Sequence, residues 1–269
     1  MRTGAETPAR KDTVMRTIAI MNNKGGVGKT VTAINLADIL VREHHKRVVL
    51  ADCDGQMNLT RFYLPEFDPE INYSMESLLA GDGEPVWSDN LMPLSPGLDL
   101  IPGSSGLYEL DVRAIKDGLS FPERLWNFCK AARDDGETDF FIFDCPPGFT
   151  TASIAALMAA EEVVIPMLVD GFSVTGMDDM AAQIRSMRQA SSRIKIAGVL
   201  LTQWRNTDVV RDGEKLVRSM AVPVFRQVIR RTEKVPESTF DRSPIWQYSP
   251  GSAASQDYRA WVRELLGEV

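Results

Sequence analysis

The chain has 269 residues, of which 44% are apolar and 25% charged, and its formal net charge at pH 7 is −7. These values are typical of a globular protein with one sizeable core, and they exclude a uniformly basic nucleic-acid-binding protein, so any contact with nucleic acid needs a local basic patch. No apolar run reaches the roughly 20 residues of a membrane span, and the three cysteines lack disulfide or metal-ligand spacing, which is typical of a reduced, cytoplasmic protein.

The N-terminal segment, residues 1–15, is polar and has no periodicity, which predicts a disordered extension ahead of one domain over residues 16–269. Met15 is an alternative start to Met1. The apolar run 17–20 then predicts a short buried strand, and apolar residues at helical spacing in 31–41 predict a helix.

Between this strand and helix lies a glycine-rich turn, which is the context that a phosphate-binding loop requires. Glycines allow positive φ and a close approach of backbone N–H groups to an anion at the start of a helix. In such a loop Lys29 reaches the β- and γ-phosphates and the Thr30 hydroxyl binds Mg²⁺. The residues predicted to bind the nucleotide here are Gly25, Gly26, Val27, Gly28, Lys29, Thr30 and Val31. The alternative is a glycine-rich turn with two solvated lysines.

Two further apolar runs end in aspartates. The run 47–51 is followed by Asp52 and Asp54, and the run 140–143 by Asp144 and the sequence Cys-Pro-Pro-Gly. Carboxylates at the carboxyl edge of a sheet, beside a phosphate loop, are suited to binding a metal and to positioning a water nucleophile. The alternative interpretation of Asp52 and Asp54 is an ordinary acidic turn after a strand.

The rest of the chain alternates strand and helix patterns, which predicts an α/β P-loop fold with a doubly wound, mostly parallel sheet covered by helices on both faces. Segment 81–96 is expected to form surface loops, and no chemistry is assigned to 59–118. Strands are expected near 98–102, 162–166 and 194–202, and helices at 74–80, 104–116, 122–132, 176–190, 208–220 and 253–266. Core faces are predicted for Leu125, Trp126, Phe128 and Cys129 in one helix, for Met177, Met180, Ile184 and Met187 in another, and for Tyr258, Trp261, Val262 and Leu265 in the last.

Three motifs together resemble the ParA/MinD superfamily of dimeric ATPases, and most of all its short ParA or Soj partition proteins. The run K-G-G-V-G-K-T resembles the deviant Walker A motif, and D-C-P-P-G resembles the Walker B segment. The run D-C-D-G-Q-M-N resembles the family's D-x-D-P-Q-x-N, with Gly55 in place of the usual proline. The resemblance covers roughly residues 16–266.

The resemblance implies roles for the motif residues, with Lys24, Lys29 and Asp54 as the catalytic set. Lys24 crosses a dimer interface to the partner's nucleotide, and Asp54 orients the attacking water. Asp52 lies near the Mg²⁺ ion, and Asp144 holds it together with Thr30.

The same resemblance implies a Mg²⁺-dependent ATPase with weak activity on its own. Such a protein forms a homodimer around two ATP molecules, binds DNA without sequence preference, and is released when a ParB-like centromere-binding protein stimulates hydrolysis. Its expected location is the cytoplasm, on the nucleoid, and its role is the partition of a chromosome, plasmid or mobile element.

Segment 229–237 resembles the family's loop beside the adenine, with Arg230 in place of the usual proline, so Arg230 and Arg231 are predicted to contact the nucleotide. Basic residues in this region serve DNA binding in relatives and contact phosphates without reading bases. The corresponding residues here are Arg205, Arg211, Arg218, Arg230, Arg231 and Lys234. The alternative is ordinary solvated surface charge, because acidic residues are interleaved.

Two other functions stay open. One is a MinD-like, ATP-gated positioning switch that acts on a protein or membrane partner instead of DNA. The C-terminal helix has balanced charge and no basic run, so it is expected to pack against the sheet rather than bind a membrane. The other is a metabolic ligase of the dethiobiotin-synthetase type.

Overall fold

A parallel sheet lies at the centre of the computed structural model, which describes residues 14–81, 91–117, 122–169 and 173–268. Within these ranges the sheet has seven strands in the order β3-β4-β2-β5-β1-β6-β7. The strands are β1 (Arg16–Ile20), β2 (Val48–Asp52), β3 (Met92–Ser95), β4 (Leu98–Ile101), β5 (Phe140–Asp144), β6 (Glu162–Leu168) and β7 (Lys195–Thr202). All neighbours pair in parallel except β3 and β4, which confirms the predicted α/β sheet.

Helices connect the strands and cover the sheet. They are α1 (Lys29–Arg42), α2 (Asn58–Tyr63), α3 (Met75–Ala80), α4 (Gly106–Asp117), α5 (Pro122–Asp135), α6 (Thr151–Ala159), α7 (Ser173–Ala190), α8 (Asp208–Arg218), α9 (Lys234–Phe240), α10 (Ile245–Tyr248) and α11 (Ala253–Leu266). No helix in the described ranges is both long and apolar enough to cross a bilayer.

Alternate residues of the buried strands face two separate cores. Ile18 and Ile20 of β1 belong to the core beneath α1 and α11, whereas Ala19 belongs to the core beneath α5 and α6. In the first core Trp261 is fully buried and lies edge-on to Phe225, with ring centroids 5.8 Å apart. The predicted packing of α11 on the sheet is therefore confirmed.

The register of the central strands brings three chain segments to one edge of the sheet. Asp144 at the end of β5 lies beside Asp52 of β2 on one side and Ile20 of β1 on the other. The glycine-rich segment starts directly after β1, so the three motifs found in the sequence converge at this edge.

The structure describes only the end of the predicted N-terminal extension, and it places Trp126 differently from the prediction. Residues 1–13 of the predicted extension lie outside the described residues, while Met15 is buried in the core. Trp126 is 38% exposed and its ring lies 5.9 Å from the Lys130 ammonium, so its assignment to the core face of α5 was wrong. One helical step rotates it about 100° from Leu125, which is buried.

Other differences concern short elements and α7. Strand β3 lies within 81–96, where loops were expected, and α2, α9 and α10 have four to seven residues each. Strand β3 is an antiparallel edge strand that contains Pro93, an arrangement that leaves little periodic signal. In α7, Ile184 and Met187 are buried as predicted, while the side chains of Met177 and Met180 lie outside the described residues.

Candidate nucleotide-binding site

The glycine-rich loop has the backbone geometry that its sequence predicts. Gly26 and Gly28 have φ angles of 72° and 87°, in the left-handed region where a side chain is strained. Gly28 is the N-cap of α1, which begins at Lys29, so the loop leads directly into a helix N-terminus. The backbone is therefore arranged as an anion-binding turn.

Side chains just after β1 and at the end of β7 hold this loop in place. Asn22 donates a hydrogen bond of 2.7 Å to the carbonyl of Pro166 and accepts one of 2.9 Å from the amide of Lys24. At the end of β7, the Thr202 hydroxyl and the Gln203 side-chain amide donate to the carbonyls of Val27 and Gly26, each at 2.8 Å.

Sequence reasoning missed Thr202 and Gln203. Their only local signal is a pair of polar residues at the end of an apolar run, and the loop they contact lies about 175 residues earlier in the chain.

The two lysines of the loop differ in exposure. Lys29 is only 7% exposed, and its Nζ donates a 3.1 Å hydrogen bond to the carbonyl of Lys24. Burial lowers the pKa of Lys29, and the negative charges of Asp144 and Asp54 partly oppose that shift. Lys24 is exposed at the loop surface. The Lys29 ammonium is thus buried at a helix N-terminus, a position suited to binding an anionic ligand.

Asp144 and Asp52 are both buried but differ in their partners. Asp52 accepts hydrogen bonds from the amide and hydroxyl of Thr60, at 2.8 and 2.7 Å, and from the amide of Asp54 at 3.1 Å. Among the described residues, neither carboxylate oxygen of Asp144 has a hydrogen-bond partner. The Asp52 carboxylate therefore stabilises the loop after β2, while the oxygens of Asp144 remain available to bind a ligand.

Burial is the main influence on the pKa of both aspartates. It raises the pKa of Asp52 to about 6, against the opposing effect of the hydrogen bonds from Thr60. It raises the pKa of Asp144 well above the usual range, and the neighbouring charge of Asp52 adds to the shift. The free energy of an ionised Asp144 is therefore high unless a cation is close to it.

The residues around Asp144 suit a magnesium ion. The Thr30 hydroxyl approaches Asp144 closely enough to lower its pKa, yet the two side chains do not form a hydrogen bond of normal geometry. A hydroxyl and one carboxylate, completed by water and substrate phosphates, are the usual oxygen ligands of Mg²⁺ at nucleotide sites. The described residues contain no cluster of three or more His, Cys, Asp or Glu side chains that holds a metal without such help.

A cavity of about 540 Å³ opens beside the loop, which is within the size range of small-molecule sites. Lys29, Thr30 and Asp54 line it, and so do Arg230 and Arg231. The other lining residues are Gly26, Gly28, Val31, Asn58, Pro147, Thr202, Gln203, Ile229, Thr232, Glu233, Val235, Pro236, Thr239 and Tyr258. Most predicted nucleotide-binding residues thus share one cavity, while Lys24, Gly25 and Val27 lie elsewhere in the loop.

Asp54 lies at the edge of this cavity. It is partly exposed, and its Oδ1 accepts a 2.9 Å hydrogen bond from the amide of Gln56. The carboxylate is thus oriented by its own turn while it still faces the space in which a ligand binds.

The basic residues predicted to bind DNA have acidic partners in most cases. Arg230 is bonded to the buried carboxylate of Asp257 through Nε and Nη2, each at 2.8 Å. Arg218 donates to Glu214 at 2.8 Å and to the carbonyls of Phe225 and Arg226. The other ion pairs are Arg211 with Asp208, Arg231 with Glu233, and Lys234 with Glu237.

Arg205 differs from the other five residues of this set. It is exposed, and no acidic residue in the described part of the chain forms an ion pair with it.

Comparisons with known proteins agree with the fold and the motifs. A family model described as an AAA domain matches residues 15–196. The chromosome partitioning protein ParA of Caulobacter vibrioides is 31% identical over 255 residues, which cover 94% of each chain. The chromosome-partitioning ATPase Soj of Thermus thermophilus is 30% identical, with 95% of this chain and 97% of the relative covered.

The chain belongs to the ParA/MinD superfamily of P-loop ATPases.

A solved structure of this superfamily's fold shows what its site accepts. Cobyrinic acid a,c-diamide synthase of Mycobacterium smegmatis, solved with ADP and magnesium, superposes with a TM-score of 0.73. Its sequence is 27% identical, and 94% of each chain is covered. Nucleotide and Mg²⁺ therefore bind within this fold family, as the glycine-rich loop of the present ParA-type chain predicts.

Proposed function

We propose that this chain is a Mg²⁺-dependent ATPase of the ParA type that dimerises around ATP and, in that state, binds DNA without sequence preference. The observation that carries the proposal is the buried carboxylate of Asp144, which has no hydrogen-bond partner among the described residues and lies close to Thr30 and Lys29. Thr30 and Lys29 in turn line a nucleotide-sized cavity. A protein keeps such a carboxylate at a free-energy cost, which a bound cation removes.

The residues of the site divide the work of hydrolysis. The turn 25–28 and Lys29 bind the phosphates, and Thr30 with Asp144 would hold Mg²⁺, which when bound neutralises charge that develops on the phosphates. Asp54, at the cavity edge, orients the water that attacks the γ-phosphate. Lys24 is exposed, as a residue that contacts the nucleotide of a second copy needs to be.

The DNA part of the proposal rests on relatives and on the basic residues of α8 and the segment after β7. The two curated relatives bear names that refer to chromosome partitioning. We infer a role in partitioning a chromosome, plasmid or mobile element, on the nucleoid and with a centromere-binding protein as the partner that stimulates hydrolysis.

The test of the ATPase is turnover combined with the molar mass in solution. We expect slow, Mg²⁺-dependent release of phosphate by the wild type and a dimer in light scattering when ATP is present. Asp54→Ala is expected to bind ATP but not hydrolyse it, and so to remain dimeric. A variant that stays monomeric with ATP contradicts the role of Asp54, and a wild type that does not bind ATP contradicts the proposal as a whole.

A second candidate function has one observation in its favour. Five of the six basic residues proposed to contact DNA are paired with carboxylates of the same chain, which weakens their attraction for phosphate. This favours an ATP-gated switch that acts on a protein or membrane partner. ATP-dependent dimerisation without retention on DNA is the result that supports it.

A further inference from the structure

Helix α4 reaches the loop that carries Asp54 through a single aromatic side chain. A Cβ atom built on Gly55 lies 2.8 Å from both Cε2 and Cζ of Tyr108, a distance that real Cβ contacts essentially never show. The Tyr108 ring therefore occupies the space that any other side chain at position 55 needs. Position 55 is the place where the family motif has proline.

The hydroxyl of the same tyrosine binds the next residue of the loop. The side-chain amide of Gln56 donates a hydrogen bond to the Tyr108 phenolic oxygen. The backbone amide of Gln56 donates to Asp54 Oδ1 at 2.9 Å, and the amide of Met57 donates to the Asp54 carbonyl at 2.9 Å. The tyrosine thus holds the residue whose N–H group orients the Asp54 carboxylate.

Helix α4, which carries Tyr108, is itself held firmly against the rest of the protein. Leu107 and Leu110, on either side of it in the sequence, are 4% and 1% exposed. Asp111 accepts a 2.7 Å hydrogen bond from the amide of Thr151 at the start of α6. Shortly before α6 lies the Cys145–Gly148 turn, which follows Asp144. Helix α4 is therefore linked both to the loop that carries Asp54 and to the start of α6 after the Asp144 turn.

We propose that Tyr108 is a positioning residue that holds the Asp54 loop in its catalytic conformation, an inference that rests on the proposed ATPase function. The ring is 46% exposed, so burial in the core does not account for its placement. It acts through Gly55 and Gln56, and its removal leaves Asp54 in place but frees its carboxylate to rotate. The catalytic step then slows while the binding of ATP at the glycine-rich loop is retained.

The kinetic test compares four variants at saturating Mg²⁺. Tyr108→Ala is expected to lower kcat about tenfold with little change in KM. Gly55→Ala is expected to do the same because its methyl group displaces the ring, and Tyr108→Phe to have a smaller effect because it keeps the ring. Val112→Ala, an exposed position one turn further along α4, is the matched control and should leave kcat unchanged.

The double variant Gly55→Ala/Tyr108→Ala separates the contact from two independent effects. If the contact is the cause, the double variant loses no more activity than Tyr108→Ala alone. Losses that multiply, or a loss confined to KM, overturn the inference.

Hydrogen exchange of the nucleotide-free protein tests the same contact without any activity. We expect the amides of residues 54–57 to exchange several-fold faster in Tyr108→Ala than in the wild type, and normally in Val112→Ala. Unchanged exchange overturns the inference whether or not the protein hydrolyses ATP. If exchange is faster in Tyr108→Ala but the wild type has no ATPase activity, the inference that Tyr108 holds the loop stands, and only the proposed function is rejected.

Discussion

The nucleotide-binding cavity and the basic segment 205–234 are both rich in charge, but they satisfy it in opposite ways. Behind the lining residues Lys29 and Thr30, Asp144 has no hydrogen-bond partner in the described part of the chain, and the Lys29 ammonium donates to a backbone carbonyl. In the basic segment, Arg218 and Arg230 are bonded to carboxylates and Arg218 also to carbonyls. The first region is incomplete without a ligand, whereas the second is largely neutralised by the chain itself.

A count of charged residues alone therefore does not define a binding surface. The sequence places six basic residues in the segment, yet their neighbours decide how strongly they attract phosphate. We therefore expect substitutions at the cavity to have large effects and those in the basic segment to have graded ones.

The largest expected effect is that of Lys29→Ala. Removal of this buried ammonium leaves the phosphates without their main cationic partner, and the Kd for ATP should rise about 100-fold or more. Isothermal titration calorimetry measures it, with Lys195→Ala, an exposed lysine at the start of β7, as the matched control. An unchanged Kd in Lys29→Ala contradicts the assignment of the loop.

The next largest effect concerns the stability of the nucleotide-free protein, which substitutions of the two buried aspartates should change in opposite directions. Asp144→Asn should raise the free energy of unfolding at neutral pH, because it removes a buried carboxylate that has no hydrogen-bond partner among the described residues and whose ionisation costs free energy that Lys29 offsets only in part. Asp52→Asn should lower the free energy of unfolding by about 1–3 kcal/mol, because an amide group cannot accept all the bonds from Thr60 and Asp54. Denaturant titration at equilibrium gives both values, and equal changes of the same sign contradict the contrast.

The raised pKa of Asp144 also predicts how the difference in stability between the wild type and Asp144→Asn depends on pH. The folded state binds this proton more tightly than the unfolded chain, in which the pKa is about 3.9. The contribution of Asp144 to stability is therefore lost as the pH rises from that value through the raised folded pKa. The stability gap between Asp144→Asn and the wild type should be small near pH 4 and widen above it, and a constant gap contradicts the shift.

The smallest effects are expected in the basic segment. Arg205→Ala should weaken DNA retention several-fold and reduce the salt slope by about 0.9, the loss of one phosphate contact. Arg218→Ala should leave the slope nearly unchanged, because its guanidinium is bonded within the chain. Equal slopes in the two variants contradict the view that ion pairing weakens the segment.

Combined charge reversal at Arg205, Arg230 and Arg231 should remove retention on DNA, and because Arg230 and Arg231 also line the nucleotide cavity, the Kd of this variant for ATP must be measured beside it. The Arg230–Asp257 bond lies between the segment and α11, so a thermal melt must accompany this variant.

Local sequence patterns predicted much of the fold and the site. Helices α4 and α11, the buried strands and the glycine-rich loop each have a periodicity or motif within about 15 residues, so neighbouring residues alone define them. The alignment of Asp52 with Asp144 also followed, because the carboxyl ends of parallel strands meet at one edge of a sheet.

What the sequence did not predict depends on contacts between distant segments. Thr202 and Gln203 bind the glycine-rich loop across most of the chain, and Tyr108 of α4 lies where a side chain at position 55 would have to displace its ring. The bonds of Arg230 to Asp257 and of Arg218 to the carbonyl of Phe225 likewise depend on tertiary packing. The pairs of Arg211, Arg218 and Lys234 with acidic residues three or four positions away agree with the alternative of solvated surface charge that the sequence left open.

The direct test of ATP-switched DNA binding is the retention of the wild-type protein on DNA with ATP, with ADP and without nucleotide, across a series of salt concentrations. We expect retention only with ATP and a steep decline as salt rises, because the contacts are made to phosphates. Retention that does not depend on nucleotide, or its absence in all three states while ATP still forms a dimer, contradicts an ATP-switched DNA-binding protein.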